Sequence, residues 1–421
     1  MSIVSPYGSW KSPITADLVA GGEIGLEQIR IDGEDIYWSE RRAQEGGRKV
    51  IVRRSRDGNI TDVTPAGFNA RTRVHEYGGG DYAVSHGVII FSNFTDQRLY
   101  IQKFDSEPQP LTPPSALRYA DGQIDRRRNL FYCVREDHHT GAHEAVNTLV
   151  RVSLVGDDAG VVTVSGNDFY SSPRLSPDGS QLAWLTWNHP EMPWDGTELW
   201  VGKLSSDGSV SAPGKIAGGV NESICQPEWS PDGTLYFVSD HTGWGNLYRW
   251  QENKVEPLCP MEAEFGQPQW VFGTALYGFE AAGRIICTYA QNGRDHLASL
   301  DTATKALSPI AVPFTTISQV RIADNRAVFI GASSTQTTSI VSLDLTTKNF
   351  EVLRRSRESA VDPEYLAQAQ AIEFPTADSL TAHGYFYPPW NHDYALPANE
   401  KPPLLVMSHG GPTSSSSASL K

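Results

Sequence analysis

The sequence predicts a mainly β chain in which a seven-bladed β-propeller is followed by a second domain of a different kind. Three observations carry this reading. A β-type segment centred on one apolar residue returns seven times at nearly constant spacing. A turn tetrapeptide recurs at the same place within the repeat. The period then stops after Leu353.

The repeated segments are Lys49-Val50-Ile51, Arg98-Leu99-Tyr100, Thr148-Leu149-Val150, Glu198-Leu199-Trp200, Asn246-Leu247-Tyr248, His296-Leu297-Ala298 and Ser339-Ile340-Val341, with central positions 49, 50, 50, 48, 50 and 43 residues apart. Periods of this length belong to propellers or solenoids. Solenoid coils are generally shorter, and tandem sandwiches need about 100 residues per unit. The fifth unit shows four strands most plainly, at 226–230, 235–240, 246–250 and 254–258. Ser230-Pro231-Asp232-Gly233 joins the first two, and Ser176-Pro177-Asp178-Gly179 does so in the fourth unit. Proline presets φ for the second turn position, and glycine tolerates positive φ at the fourth. Asp32-Gly33 and Ala323-Asp324-Asn325 occupy the matching place elsewhere. A four-stranded unit cannot bury both faces alone, whereas radial stacking closes the set and leaves only short edges.

Composition narrows the partners. The 421 residues carry 35 basic and 49 acidic groups, a net charge of −14. Nucleic acid and anionic membrane both require a basic face. No apolar run approaches the roughly 18 residues that a spanning helix needs. The first twenty residues lack a basic start followed by an apolar stretch, so a cytoplasmic location is expected. Cys133, Cys225, Cys259 and Cys287 are scattered, which predicts buried free thiols rather than disulfides or a metal site. No cofactor is expected.

The tail reads differently. Arg354 to Gln370 is charged, and Asp362-Pro363 has the form of an N-cap followed by a first helical residue. Strand candidates follow at 371–374 and 382–387, then a Pro-rich loop. Leu404-Leu405-Val406-Met407 is a continuous apolar run, expected as a strand buried within a sheet. It leads into Ser408-His409-Gly410-Gly411-Pro412. A buried strand feeding His-Gly-Gly is how lipases and esterases place a backbone N–H beside the nucleophile, where it stabilises a developing oxyanion. The fold expectation is therefore a propeller plus the first strands of an α/β-hydrolase domain. His409, Gly410, Gly411 and Pro412 form its oxyanion-hole region. The expected division is 1–22 as an N-terminal segment, 23–355 as propeller, and 356–421 as a linker helix and incomplete hydrolase domain.

Other residues have two readings each. His75-Glu76 follows two arginines and precedes three glycines. The pair either lines a substrate channel at the propeller mouth or, as favoured here, sits in a tight turn with its charges paired to neighbours. His138, His139 and His143 match no common metal-ligand spacing. They read as a solvated loop, with lining of the substrate channel as the subsidiary reading. The aromatic loop 188–196 suits ligand binding or a contact between domains.

These residues resemble the prolyl oligopeptidase family of serine peptidases, and within it the acylaminoacyl-peptidase and dipeptidyl-aminopeptidase-like branch. The resemblance rests on Tyr7-Gly8-Ser9-Trp10-Lys11-Ser12-Pro13-Ile14-Thr15, Arg73-Val74-His75-Glu76-Tyr77-Gly78-Gly79-Gly80, the Ser-Pro-Asp-Gly turns and His409-Gly410-Gly411-Pro412. It implies hydrolysis of short peptides by acyl transfer, a propeller gating access, and an N-terminal segment packed on the hydrolase domain. It also implies a Ser-Asp-His triad. No G-x-S-x-G elbow occurs in the 421 residues, so the chain is read as an N-terminal portion that is inactive alone. Open edges of an incomplete hydrolase sheet invite association, including homo-oligomers. The competing expectation is a non-catalytic propeller scaffold.

Overall fold

The computed structural model describes residues 2–139, 141, 144–358, 361–411 and 413–420. Seven four-stranded antiparallel sheets follow one another along the chain, each with its strands in sequence order. Blade 1 comprises Ile24–Asp32, Asp35–Arg42, Arg48–Arg54 and Ile60–Asp62. Blade 5 comprises Ile224–Trp229, Leu235–Ser239, Asn246–Gln251 and Lys254–Pro257. Blade 7 comprises Thr316–Ala323, Arg326–Ser333, Gln336–Asp344 and Phe350–Arg355. The seven apolar residues that mark the repeat all fall in third strands, and none is more than 2% exposed. Each joins one of seven separate apolar clusters, and each cluster fills the space between two adjacent blades. The repeat is thus a packing period: one central residue per blade, buried against the next blade in blades 2 to 7, while Val50 of blade 1 joins Ile340 in the cluster shared with blade 7.

Innermost strands share a second feature. Six of the seven carry a register break, at Glu27/Arg30, Ala120/Gln123, Ser171/Arg174, Cys225/Glu228, Phe279/Ala281 and Ser318/Arg321. At five of these breaks a non-glycine residue has positive φ: Gln28, Asp121, Ser172, Gln226 and Gln319. A bulge of this kind re-aims side chains. It sends Gln28 and Gln226 into the following blade. Gln28 Oε1 accepts from Asp81 N (2.9 Å), while Tyr82 Oη donates to Gln28 O (2.6 Å). Gln226 Nε2 donates to Tyr277 O (2.8 Å), and Tyr277 Oη returns a bond to Gln226 O (2.8 Å). The same Gln–Tyr clasp therefore fastens blade 2 to blade 1 and blade 6 to blade 5.

The ring closes between blades 7 and 1 without strand exchange, since each sheet is built from its own end of the propeller. Side chains make this seam. Leu26, Ile36, Trp38 and Val50 pack on Val328, Ile330 and Ile340. Glu40, whose side chain is fully buried, accepts from Trp38 Nε1 (3.1 Å) and pairs with Arg42 and Arg354 (both 2.8 Å). Ile24 N donates to Ser356 O (2.9 Å) where the chain enters and leaves the ring.

The N-terminal segment lies with residues 364–365 and 390–395. Ile3–Val4 pairs in parallel with Tyr394–Ala395, and Trp10 stacks on Tyr394. Thr15 caps a five-residue helix, Ala16–Ala20, that the sequence reading did not anticipate. Asp362 caps a 3-10 turn at Pro363–Tyr365, and Gln370–Pro375 pairs with Thr381–Phe386 as a hairpin. The expected buried strand at 404–407 is corrected. Leu404, Leu405, Val406 and Met407 are 78–84% exposed and form no ladder. A strand needs a neighbour for its N–H and C=O groups, and no described segment lies alongside this one. No helix among the described residues is long and apolar enough to cross a membrane.

All four cysteines are free, and Cys133, Cys225 and Cys287 are buried. Burial raises each thiol, that of Cys225 to about 12 and that of the half-buried Cys259 to about 11. Thiolates are the reactive form. Native protein at pH 8 should react slowly with a thiol reagent, at Cys259 first, and release all four thiols only on unfolding; rapid labelling of Cys225 in the folded state would contradict the packing. Glu40→Ala should destabilise the fold by about 3 kcal/mol, because two cations at the seam lose their buried partner. Urea unfolding measures this, and a change below about 0.5 kcal/mol would show that the seam does not depend on Glu40.

Candidate active-site cavity

Two connections are much longer than a blade needs: residues 63–81, leading into blade 2, and residues 258–276, leading into blade 6. They approach from opposite sides of the ring and meet. Gly79 bridges Phe272 in parallel, and Phe272 N donates to Gly78 O (3.0 Å). The contact needs glycine. A Cβ on Gly79 (φ +89°) would stand 2.5 Å from Phe272 O, and one on Gly80 (φ +56°) would stand 2.7 Å from Asp121 Cα. Val74 and Phe272 anchor the crossing in the core between blades 3 and 4.

Above this crossing lies a cavity of about 590 Å³. The crossing forms its floor, and the connections between second and third strands of blades 3 and 4 form its walls. These connections leave the ring on the same face as the chain termini. His75, with φ +52°, sits in the floor. Its ring lies among Phe272 (4.7 Å), Phe169 (5.2 Å) and Trp187 (5.6 Å), and its backbone N–H donates to Glu136 Oε1 (2.7 Å). His75 Nε2 has no hydrogen-bond partner among the described residues. Burial lowers its pKa to about 4, so the imidazole is neutral at pH 7.

The cavity is acidic. Glu76, Glu136, Glu144, Asp168 and Glu191 line it, and no lysine or arginine does. Asp168 accepts from His189 N (2.9 Å) and meets His189 Nδ1 at 3.1 Å. The backbone bond, ahead of the ring contact, holds its carboxyl below the usual range. At the rim, Trp270 lies against Trp194 (4.3 Å) and Tyr77 (5.6 Å). Trp270 Nε1 also donates to Thr413 O (3.0 Å). That bond brings the chain just beyond His409-Gly410-Gly411 to the cavity's edge.

The residues singled out from sequence fall as follows. His75, Glu76 and His138 line the cavity. Glu76 also pairs with Arg118 (3.3 Å) and Arg73 (3.9 Å), and His138 Nε2 pairs with Glu136 (3.0 Å). His139 does not line the cavity, so the subsidiary reading of it as a channel residue is corrected. Asp137 takes its Nδ1 (2.7 Å) and Ser115 its Nε2 (2.9 Å), which hold it outside the cavity. His143 and Pro412 lie outside the described residues. His409 is exposed, with Nδ1 2.8 Å from Gly410 O. Among the described residues, no group of three or more His, Cys, Asp or Glu is arranged to hold a metal. Sequence reasoning missed Glu144, Asp168 and the whole 269–274 segment. The unusual length of the 258–276 connection was the available signal.

The chain is a seven-bladed β-propeller with a floored cavity, and Thr413, two residues past Gly411, lies at the cavity's edge. Comparison with solved structures gives the family. A Mycobacterium tuberculosis puromycin-hydrolysing peptidase is 36% identical over 99% of this chain, with a TM-score of 0.91. A puromycin hydrolase in complex with PGG is 35% identical over 99%, also at 0.91. The chain spans 66% of the length of each. Prolyl oligopeptidase B from Galerina marginata shares the fold at 12% identity and a TM-score of 0.61, over 86% of this chain and 55% of its own. No protein-family model matches the chain, and no curated protein does. The chain belongs to the prolyl oligopeptidase family.

The buried neutral state of His75 makes stability depend on pH. Unfolding returns the imidazole to its ordinary value of 6.5, so the unfolded chain binds the extra proton between about pH 6.5 and 4. The contribution is complete above pH 6.5 and is lost as pH falls through that window. Relative to His75→Phe, wild type should lose about 1–2 kcal/mol between pH 7 and pH 5. Parallel urea curves for the two proteins would refute a buried neutral imidazole.

Proposed function

We propose that this chain supplies the propeller and the opening of the hydrolase part of a serine peptidase. The substrates would be short peptides and amides of similar size, and the triad would be contributed by sequence outside these 421 residues. The observation that carries the reading is the 36% identity to a puromycin-hydrolysing peptidase across 99% of the chain. The contact between Trp270 and Thr413 supports it, since it brings the chain two residues past Gly411 to the cavity's edge.

On this reading the cavity receives the substrate's N-terminal part. Arginines outside the cavity pair with Glu76 and Glu136, whereas Glu144, Asp168 and Glu191 have no lysine or arginine partner among the described residues and favour an ammonium group. Phe169, Trp187, Trp194 and Trp270 offer apolar and aromatic surface for the side chain beside it. Backbone N–H groups of Gly410 and Gly411 would stabilise the oxyanion once a nucleophile is present. Small substrates are favoured because the crossing at Gly79 and Phe272 blocks the axis, leaving the rim as the way in.

The test uses the longer protein, expressed past Lys421. It should label with a fluorophosphonate probe and hydrolyse aminoacyl amides bearing a free amino group faster than their N-acyl counterparts. Glu144→Gln with Glu191→Gln should raise KM about tenfold, near 1.4 kcal/mol of binding, with kcat little changed. The 421-residue chain should show neither labelling nor turnover. Turnover by that chain, or indifference of the longer protein to N-acylation, would overturn the respective part of the proposal.

A further inference from the structure

The channel on the ring axis, beneath the cavity floor, has no role in the peptidase reading. We propose that it is a binding site for a small tetrahedral oxyanion, held by Arg30, Arg174 and Arg321. These residues follow the bulges of blades 1, 4 and 7, which turn their side chains to the axis.

Shared acceptors show how close the three guanidiniums are. Arg30 Nη1 and Arg321 Nε both donate to Ile29 O, at 3.0 and 3.2 Å. Arg321 Nη1 reaches Glu228 Oε1 at 3.9 Å, and the same oxygen accepts from Arg174 Nε at 3.2 Å. Arg174 Nη1 meets Asp121 at 3.4 Å. Three cations therefore face two carboxylates, and Arg30 has no carboxylate within 4 Å among the described residues. Its guanidinium rests only on Ile29 O and, at 5.8 Å, on the Tyr82 ring. Lys49 adds no positive charge, since two carboxylates face it, Glu27 (2.7 Å) and Asp81 (3.1 Å).

The cluster is largely buried: the side chains of Arg174 and Arg321 are only 10% and 19% exposed. Burial, then the neighbouring Arg30, lowers Arg321 to about 9, and burial also lowers Arg30. An enclosed surplus cation is costly unless a counter-charge reaches it. Guanidinium forks match the oxygens of phosphate and sulfate, several of which one tetrahedral ion presents at once. The floor at Gly273 lies against Arg30 Nη2 and separates this site from the cavity above.

Inorganic phosphate is the probe. At constant ionic strength, with phosphate exchanged for chloride, the melting temperature of the 421-residue chain should rise by about 2–4 °C and saturate in the millimolar range. Arg30→Met and Arg321→Met should lose the saturating part, and Arg56→Gln, on the exposed edge of blade 1, should keep it. General exclusion of phosphate from the surface gives a rise that does not saturate and is common to all variants. A rise of only that kind overturns the proposal. Should the channel variants not fold, phosphate-31 line broadening by the unmodified chain decides. Broadening reversed by sulfate supports the site, and its absence removes it.

Discussion

The contact between Gly79 and Phe272 determines what this propeller can do. A ring of seven blades leaves a channel along its axis, and two long connections meet there through glycines that leave no room for a Cβ. The meeting turns one face of the channel into the floor of a cavity. It fixes His75 among three aromatic rings and presents five carboxylates to a single space. Below the floor, the bulged innermost strands of blades 1, 4 and 7 bring three arginines together near the axis.

That crossing is only as rigid as the ring that carries it. Seven apolar clusters, one per interface, hold the blades, and the Gln–Tyr clasps at Gln28–Tyr82 and Gln226–Tyr277 set the very blades whose lead-in segments cross. The interface between blades 7 and 1 lacks a shared strand, so its apolar packing and the buried Glu40 carboxylate bear the closure. Charge is sorted by position: paired carboxylates and cations at the seam, an acidic cavity in which Glu144, Asp168 and Glu191 have no lysine or arginine partner among the described residues, and clustered guanidiniums near the axis.

The blades were legible because their signal is local. Val50, Leu99, Leu149, Leu199, Leu247, Leu297 and Ile340 recur where strands recur, and Ser-Pro-Asp-Gly fixes the turn before each second strand that uses it. The cavity was less legible because it is assembled from residues far apart in sequence. His75 and Glu76 stood out through their glycines and charges. Asp168 and Glu144 looked like ordinary loop acids, and nothing in Gln269-Trp270-Val271-Phe272 announces that it crosses the ring. His139 stays in the exposed loop, its two ring nitrogens meeting Asp137 and Ser115. The 404–407 run had the composition of a buried strand, but composition does not supply the neighbouring strand that such a segment must bond to.

The central claim is that residues 78–80 and 272 form a fixed, hydrogen-bonded crossing rather than two independent loops. Amide hydrogen exchange tests it at Phe272 N, which donates to Gly78 O, and at Asp121 N, which donates to Gly80 O (2.9 Å). Both amides should be protected to the same degree as the blade-3 core around Val134, exchanging only through large-scale opening. Exchange at the rate of an exposed loop, while Val134 stays protected, would contradict the account.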